Sequence, residues 1–266
     1  MRIFAKKSLG QNFLHAPWAF EAICKAADIQ KTDTVLEIGP GQGALTEHLI
    51  ARAGKVVAIE KDDRLIPLLS EKFAHAIQTG TFLLVHGDIL ELDISKLVKK
   101  GEYKLVANIP YYITGMILER FLSGDAQPSR AVLMVQREVA KRIVANDEVP
   151  SILSNSVWVY GEPEYVATVS RGSFQPAPNV DSAILLIKNI SKSKFNGLPE
   201  RFFFDVLKKG FLHKRKLLLQ NLEIPRQIQP DICKTIGIGE KARAEELTTT
   251  QWLKLALYMY ELKAAE

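Results

Sequence analysis

Residues Asn108-Ile109-Pro110-Tyr111 place an amide, a chain-stiffening proline and an aromatic ring directly after the apolar run Lys104 to Ala107. That set suits the handling of an exocyclic amino group on a planar base. The lone pair of such an amine is delocalised into its ring, so methylating it requires groups that accept its hydrogens and draw the pair toward tetrahedral geometry. The side-chain oxygen of Asn108 and the main-chain carbonyl of Ile109 are two such acceptors, Pro110 holds the carbonyl in place, and Tyr111 offers a face for stacking. Positioning and charge stabilisation would carry most of the rate, with no metal and no covalent intermediate. Asn-x-Pro is also ordinary turn chemistry, and an aromatic after a turn is often a packing lid, so four residues alone decide nothing.

The elements around this stretch give it a place. Thr34 to Ile38 is a short β-branched run that ends at Gly39-Pro40-Gly41-Gln42-Gly43, and Ala44 to Ala51 then has helical spacing. Lys55 to Ile59 reads as a second strand closed by Glu60, Leu65 to Phe73 as a helix, and Thr81 to His86 as a third strand closed by Gly87-Asp88. The pattern is βαβαβ, an α/β fold whose ligands sit outside the carboxyl ends of its strands. Leu105 and Val106 lie in a fourth strand, Ala131 to Gln136 in a fifth, and helices follow each at Ile113 to Leu122 and Arg137 to Val144. Tyr165 to Val169 and Ser182 to Ile190 read as a final antiparallel pair, because the proline-punctuated loop between them is too short for a helical crossover. Ser191 to Leu198 is the best linker, and helical periodicity continues from there to the end. We therefore expect a domain over residues 1–190, with an N-terminal basic arm, and a helical domain over 191–266.

A glycine turn after the first strand lets the backbone approach a ligand closely, and Gly39, Gly41 and Gly43 supply one. The spacing is neither the G-x-G-x-x-G of a dinucleotide site nor a phosphate loop. Glu60, placed 17 residues beyond Gly43, can accept both hydroxyl protons of a ribose, and Asp88 at the end of the next strand can accept from an adenine amino group. Either acid could instead cap the following helix. Together they form an adenosine clamp without phosphates, which S-adenosylmethionine fits better than a dinucleotide does.

The formal net charge of +5 is unevenly distributed: residues 1–190 hold 21 Lys and Arg against 21 Asp and Glu, residues 191–266 hold 14 against 9. The excess peaks at Lys208-Lys209-Gly210-Phe211-Leu212-His213-Lys214-Arg215-Lys216. A patch of Lys208, Lys209, Lys214, Arg215 and Lys216 suits the phosphates of a nucleic acid, although a solvated helix face would explain the charge equally well by itself. The two cysteines, Cys24 and Cys233, show neither disulfide nor metal-ligand spacing, and no metal site is expected. No charged-then-apolar leader or membrane-length apolar run is present, so a soluble cytoplasmic protein is expected.

With Gln11-Asn12-Phe13-Leu14, Glu37-Ile38-Gly39-Pro40-Gly41-Gln42-Gly43, Val135-Gln136-Arg137-Glu138-Val139-Ala140 and Phe174-Gln175-Pro176-Ala177-Pro178-Asn179-Val180-Asp181-Ser182 added, the tetrapeptide resembles the signature of the ribosomal RNA adenine dimethyltransferase family. The resemblance runs from about Lys7 to the end. It implies a Rossmann-like seven-stranded class I methyltransferase domain followed by a small C-terminal all-helical domain. It also implies dimethylation at N6 of two adjacent adenines near the 3′ end of small-subunit (16S) ribosomal RNA, with S-adenosylmethionine as donor, during assembly of that subunit. By the same resemblance the cofactor positions fall on Asn12, Leu14, Gly39, Glu60, Asp88 and Asn108, and the target-base contacts on Asn108, Tyr111 and Phe174. An aromatic at Phe174 opposite Tyr111 would sandwich a flipped base, or it could plug the core.

Two departures from the family pattern stand out. Pro150-Ser151-Ile152-Leu153-Ser154 replaces the usual Tyr-Gly-x-Leu-Ser, and Arg243-Ala244-Glu245 replaces Arg-Pro-Glu. An erythromycin-resistance type enzyme acting on large-subunit RNA shares the Asn-Ile-Pro-Tyr form, and a non-catalytic binding protein of the same descent is the alternative from another class. Val180-Asp181-Ser182 and the form of the arm favour the small-subunit enzyme. A monomer acting on the small-subunit RNA or its assembly precursor is expected.

Overall fold

Strands that are covered on both faces read as continuous apolar runs, and two such runs, Ala131 to Val135 and Ala183 to Ile187, lie side by side in this protein's sheet. The computed structural model describes residues 4–6, 9–145, 150–213 and 215–265. In chain order its first elements are β1 (Phe13–Leu14), α1 (Pro17–Ala27), β2 (Thr34–Ile38), α2 (Ala44–Ile50), β3 (Lys55–Glu60), α3 (Leu65–Lys72), α4 (Ala74–Gln78) and β4 (Phe82–His86). They are followed by β5 (Tyr103–Asn108), α5 (Thr114–Ser123), β6 (Arg130–Gln136), α6 (Arg137–Val144), α7 (Ile152–Trp158), β7 (Glu162–Val169), β8 (Phe174–Gln175) and β9 (Ser182–Lys188). The remainder is helical: α8 (Glu200–Gly210), α9 (Leu218–Asn221), α10 (Gln229–Ile236) and α11 (Thr249–Ala265).

Seven strands form one sheet in the order β4-β3-β2-β5-β6-β9-β7. Pairing is parallel from β4 through β6, and β9 alone runs against its neighbours. The chain leaves β2 toward β3 and β4 and returns on the other side of β2 at β5, so the strand order reverses between β2 and β5. A crevice opens at such a reversal, at the carboxyl ends of the strands. Register fixes what meets there: Ile38, the last residue of β2, pairs with Ile59 on one side and Ala107 on the other. Gly39, Glu60 and Asn108 are thereby brought to one edge.

Helix α1 shows how local sequence builds the layer over the sheet. Pro17 sits in its first turn, where a missing N–H costs nothing, and Asp28 ends it in a left-handed conformation at φ 51°. Ala19, Phe20, Ile23, Cys24 and Ala27 recur on one face, and all are buried.

The chain divides into two compact units, Met1–Ala140 with Glu162–Ile190, and Lys141–Gly161 with Ser191–Glu266. The sequence boundary at 190 is therefore incomplete, since the segment from Lys141 to Gly161 sides with the second unit. The cause is side-chain packing inside that unit. Thr249 Oγ1 donates to Asn155 Oδ1 at 2.8 Å, Tyr160 Oη donates to Glu200 Oε2 at 2.5 Å, and the Tyr160 ring meets Phe195 at 5.4 Å. The expected linker is likewise structured, with a short 3-10 turn over Ser193–Phe195 and Phe195 buried. In α8, Phe203, Val206, Leu207 and Gly210 face the second core, where Trp252 and Leu218 are fully buried.

Candidate active site

The cleft at the strand reversal encloses a cavity of about 250 Å³ and opens to solvent. Asn12, Leu14, Gly39, Gly41, Glu60, Asp88, Asn108, Ile109, Pro110, Tyr111 and Phe174 all line it. The cofactor and target-base positions implied by the resemblance are thus brought to one place.

Two backbone devices shape the floor, and a third glycine of the turn serves elsewhere. Gly39 N donates to Ile59 O at 2.9 Å, which ties the turn to β3. Gly41 has φ +60°, and a Cβ there would lie 3.1 Å from the Phe13 ring of the arm. Gly43 serves a different purpose from the one expected. It does not line the cleft; a Cβ on it would come within 2.6 Å of the Phe73 ring, so this glycine lets the start of α2 pack on the end of α3.

Glu60 is buried, and its two carboxylate oxygens are separately held: Gly41 N donates to Oε2 at 3.1 Å and Asp62 N to Oε1 at 2.8 Å. Burial raises its pKa, and the N–H groups of Asp62 and Gly41 only partly counter this. Helix capping is excluded, because α3 begins after Arg64 with no side-chain cap. Asp88 caps no helix either; it accepts from Leu90 N at 2.9 Å in a local turn. Its other oxygen pairs with Lys61 Nζ at 2.5 Å. Burial works against ionisation of Asp88, but the Lys61 ammonium and the Leu90 N–H outweigh it and hold the carboxyl below its usual range.

Beyond β5, Asn108 Nδ2 points to the Asn12 carbonyl at 3.5 Å, a long contact that leaves Oδ1 as the acceptor. Ile109 is buried, Pro110 sits at φ −56°, and Tyr111 opens a 3-10 turn that leads into α5. The Tyr111 hydroxyl lies 2.5 Å from Ser182 Oγ on β9, and burial raises its pKa. Phe174 is 4% exposed and belongs to the core cluster while also lining the cleft. Its position is set by a pairing the sequence did not reveal, an antiparallel bridge in which Leu14 of β1 faces Phe174 of β8.

The structure adds Glu37 to the cleft. It lies on β2 with 1% exposure, lines the cleft and accepts from Thr46 Oγ1 at 2.8 Å. Burial lifts its pKa to about 8, the Thr46 hydroxyl opposing and the Glu60 charge adding to the rise. A carboxylate inside a β-branched run was the available signal.

The expected phosphate contacts belong to the other unit. Lys208 and Lys209 are exposed in the last turn of α8, where cations also suit the helix dipole, and Arg215 and Lys216 are exposed beyond it. Lys209 is paired with Glu223 at 2.6 Å, and Lys214 lies outside the described residues. Among the described residues no group of three or more His, Cys, Asp or Glu could hold a metal ion, and no helix is long and apolar enough to cross a membrane. Cys24 and Cys233 are both free and buried.

Sheet order, glycine turn and strand-end acids define a Rossmann-like methyltransferase domain. The family model described as ribosomal RNA adenine dimethylase matches residues 3–261. Among curated proteins, the ribosomal RNA small subunit methyltransferase A of Dehalococcoides mccartyi (strain CBDB1) is 43% identical over 95% of this chain and 88% of its own length. The protein of the same name from Clostridium botulinum (strain Loch Maree / Type A3) is 37% identical over 96% and 94%. Two solved structures, each 27% identical, share the fold. A dimethyladenosine transferase from Plasmodium falciparum has a TM-score of 0.77 and covers 94% of this chain and 98% of its own. The 23S rRNA methyltransferase ErmE has a TM-score of 0.75 and covers 92% and 98%. The chain belongs to the ribosomal RNA adenine dimethylase family.

Proposed function

We propose that the protein dimethylates the N6 amino groups of two adjacent adenines near the 3′ end of 16S ribosomal RNA, with S-adenosylmethionine as donor, as a cytoplasmic monomer acting in small-subunit assembly. The observation that carries this is the convergence of the eleven expected residues on one cleft in a member of the adenine dimethylase family. Relatives named for the small subunit, at 43% and 37% identity, favour it over the large-subunit reading, whose structural relative is 27% identical.

The residues fit the cofactor's chemistry. A buried acid stands at the end of β3, and the glycine turn beside it has no phosphate-cradling spacing. When bound, S-adenosylmethionine supplies an electrophilic methyl group. Each Glu60 oxygen already takes one N–H and keeps a lone pair for a ribose hydroxyl, while Asp88, which lines the same cleft, accepts from the adenine edge. Asn108 Oδ1 and the Ile109 carbonyl accept the hydrogens of the target amine and turn its lone pair out of the ring. Tyr111, anchored through Ser182, and Phe174 stack the extruded base and offset part of its unstacking. The proton shed afterwards goes to water. Lys208, Lys209, Lys214, Arg215 and Lys216 supply phosphate contacts, and division of labour between the two units leaves base choice to the cleft.

Purified protein incubated with labelled S-adenosylmethionine and small ribosomal subunits, followed by mapping of the modified adenines, tests this. Two adjacent dimethyladenines are expected. Absence of transfer, or modification of large-subunit RNA instead, overturns the proposal.

A further inference from the structure

Asp62 carries a carboxylate that the proposed chemistry does not use, yet its side chain has 0% exposure. A charge so far from water needs a full set of partners. Arg64 supplies most of them, with Nε donating to Oδ1 at 2.8 Å and Nη2 to Oδ2 at 2.6 Å. That guanidinium holds the Asp62 carboxyl down at about 2. One further partner comes from far along the chain: Gln11 Nε2 of the arm donates to Oδ2 at 2.8 Å. The orientation of that amide is fixed from its other side, where Gln11 Oε1 accepts from Lys6 N at 2.8 Å. Through its main chain, meanwhile, Asp62 donates to Glu60 Oε1. One residue therefore holds the ribose acid with its backbone and the arm with its side chain.

The arm's remaining ties lie elsewhere in the cleft. Phe13 and Leu14 pair with Gln175 and Phe174, and Asn12 O receives the Asn108 amide. Gly10, at φ +60°, lets the main chain lie on Pro110 and the Tyr112 ring, since a Cβ would come 3.1 Å from each. Residues 10–14 thus cross from the β3 side to β8 and line the cleft along the way. Among the described hydrogen bonds, only the Gln11–Asp62 contact joins this crossing to the segment that directly follows Glu60.

We propose that Asp62 is a positioning residue, whose carboxylate latches Gln11 beside the ribose acid so that the arm carrying Asn12 and Leu14 closes over the cofactor. This rests on the reading of Glu60 as the ribose acceptor. The latch acts by slowing cofactor escape, with no part in the transfer itself.

Gln11→Glu tests it, because the change sets a second carboxyl against Asp62 and leaves the Asp62–Arg64 pair in place. The charged groups facing position 11 are Asp62 and Arg64, with Glu60 on β3 and the Lys61–Asp88 pair at the ends of β3 and β4. Binding of labelled S-adenosylmethionine to the full chain, normalised to the native protein at each pH, should weaken about tenfold or more at pH 8. It should recover toward pH 5, because burial beside the Asp62 carboxylate raises the pKa of the introduced carboxyl, which then takes up a proton and can donate. Gln11→Leu should weaken binding by a similar factor at both values, and amide hydrogen exchange over residues 10–14 should quicken. Native affinity for Gln11→Glu at pH 8, a loss without recovery at pH 5, or unchanged exchange in Gln11→Leu overturns the latch. Glu60→Ala separates the two readings: if it binds cofactor normally, the ribose assignment fails. If Glu60→Ala binds weakly while the Gln11 variants behave natively, the latch alone fails.

Discussion

The fold treats the acids of the first unit and the cations of the second in opposite ways. Glu37, Glu60 and Asp62 are withdrawn from water and held by named donors, whereas Lys208, Arg215 and Lys216 are left exposed. Chemistry on a weakly nucleophilic amine needs dipoles that do not reorganise, and a low-dielectric cleft makes each one stronger. Grip on a polyanion needs the reverse, mobile charge whose strength comes from displacing counterions. The contrast predicts that single changes in the cleft will alter rate steeply, and single changes on the basic face will alter affinity slightly.

The steepest effect is expected from Asn108→Ala. Removing one of two proposed acceptors should lower single-turnover methylation by roughly 10²–10³-fold, the range seen when one oriented stabilising group is lost. Its Nδ2 contact with Asn12 O is long at 3.5 Å, so RNA affinity should stay within about twofold. A rate within tenfold of the native protein would mean that the cleft does not work by fixed acceptors.

Next comes a change that strikes the second unit through its core and leaves its charges intact. A Cβ on Gly210 would lie 2.3 Å from Trp252 Cη2 and 3.0 Å from Leu218 Cδ1, both in fully buried side chains. Gly210→Ala should therefore cost about 1–3 kcal/mol of stability, read as a lower thermal midpoint, with cofactor binding at low temperature unchanged. An unaltered midpoint would show that this core yields more readily than its packing suggests.

Much of the comparison was visible in the sequence, because periodicity and strand-end residues are local signals. Helix α6 and the sheet strands fall within a few residues of their expected spans; Gly39, Glu60 and Asn108 each end a β run or directly follow one, and Asp88 comes one residue later. What escaped depends on long-range contact. The β1–β8 bridge joins Leu14 to Phe174 through two-residue strands with no periodicity to read. The segment 141–161 joins the second unit through Asn155 and Tyr160, whose partners, Thr249 and Glu200, lie far along the chain. Gly43 looked like part of a ligand turn because its obstacle, the Phe73 ring, is visible only in three dimensions.

Glu37 sharpens the account of buried acid. Its carboxyl titrates near 8 in the folded protein and near the ordinary 4.5 when unfolded, so the folded state binds its proton more tightly. Stability from this group is complete below about pH 4.5 and is lost as pH rises through about 8. Glu37→Gln keeps an acceptor for Thr46 and removes the titration. The variant should melt at a higher temperature than the native protein at pH 8, and the advantage should shrink toward pH 5. An advantage that grew on acidification would reverse the sign and assign Glu37 a stabilising charge.

The smallest effects belong to the basic face, and they separate cations that the sequence could not distinguish. Arg215 and Lys216 are exposed beyond α8, while Lys209 already shares its charge with Glu223 at 2.6 Å. Each phosphate contact contributes about 0.7–0.9 to the slope of log affinity against log salt. Arg215→Ala and Lys216→Ala should each flatten that slope by about this amount, with methylation at saturating RNA unchanged, and Lys209→Ala should flatten it less. Equal losses for Lys209 and Arg215 would mean that Glu223 releases Lys209 to the RNA. The second unit would then hold a paired charge in reserve, and the contrast with the fixed acids of the cleft would become one of degree.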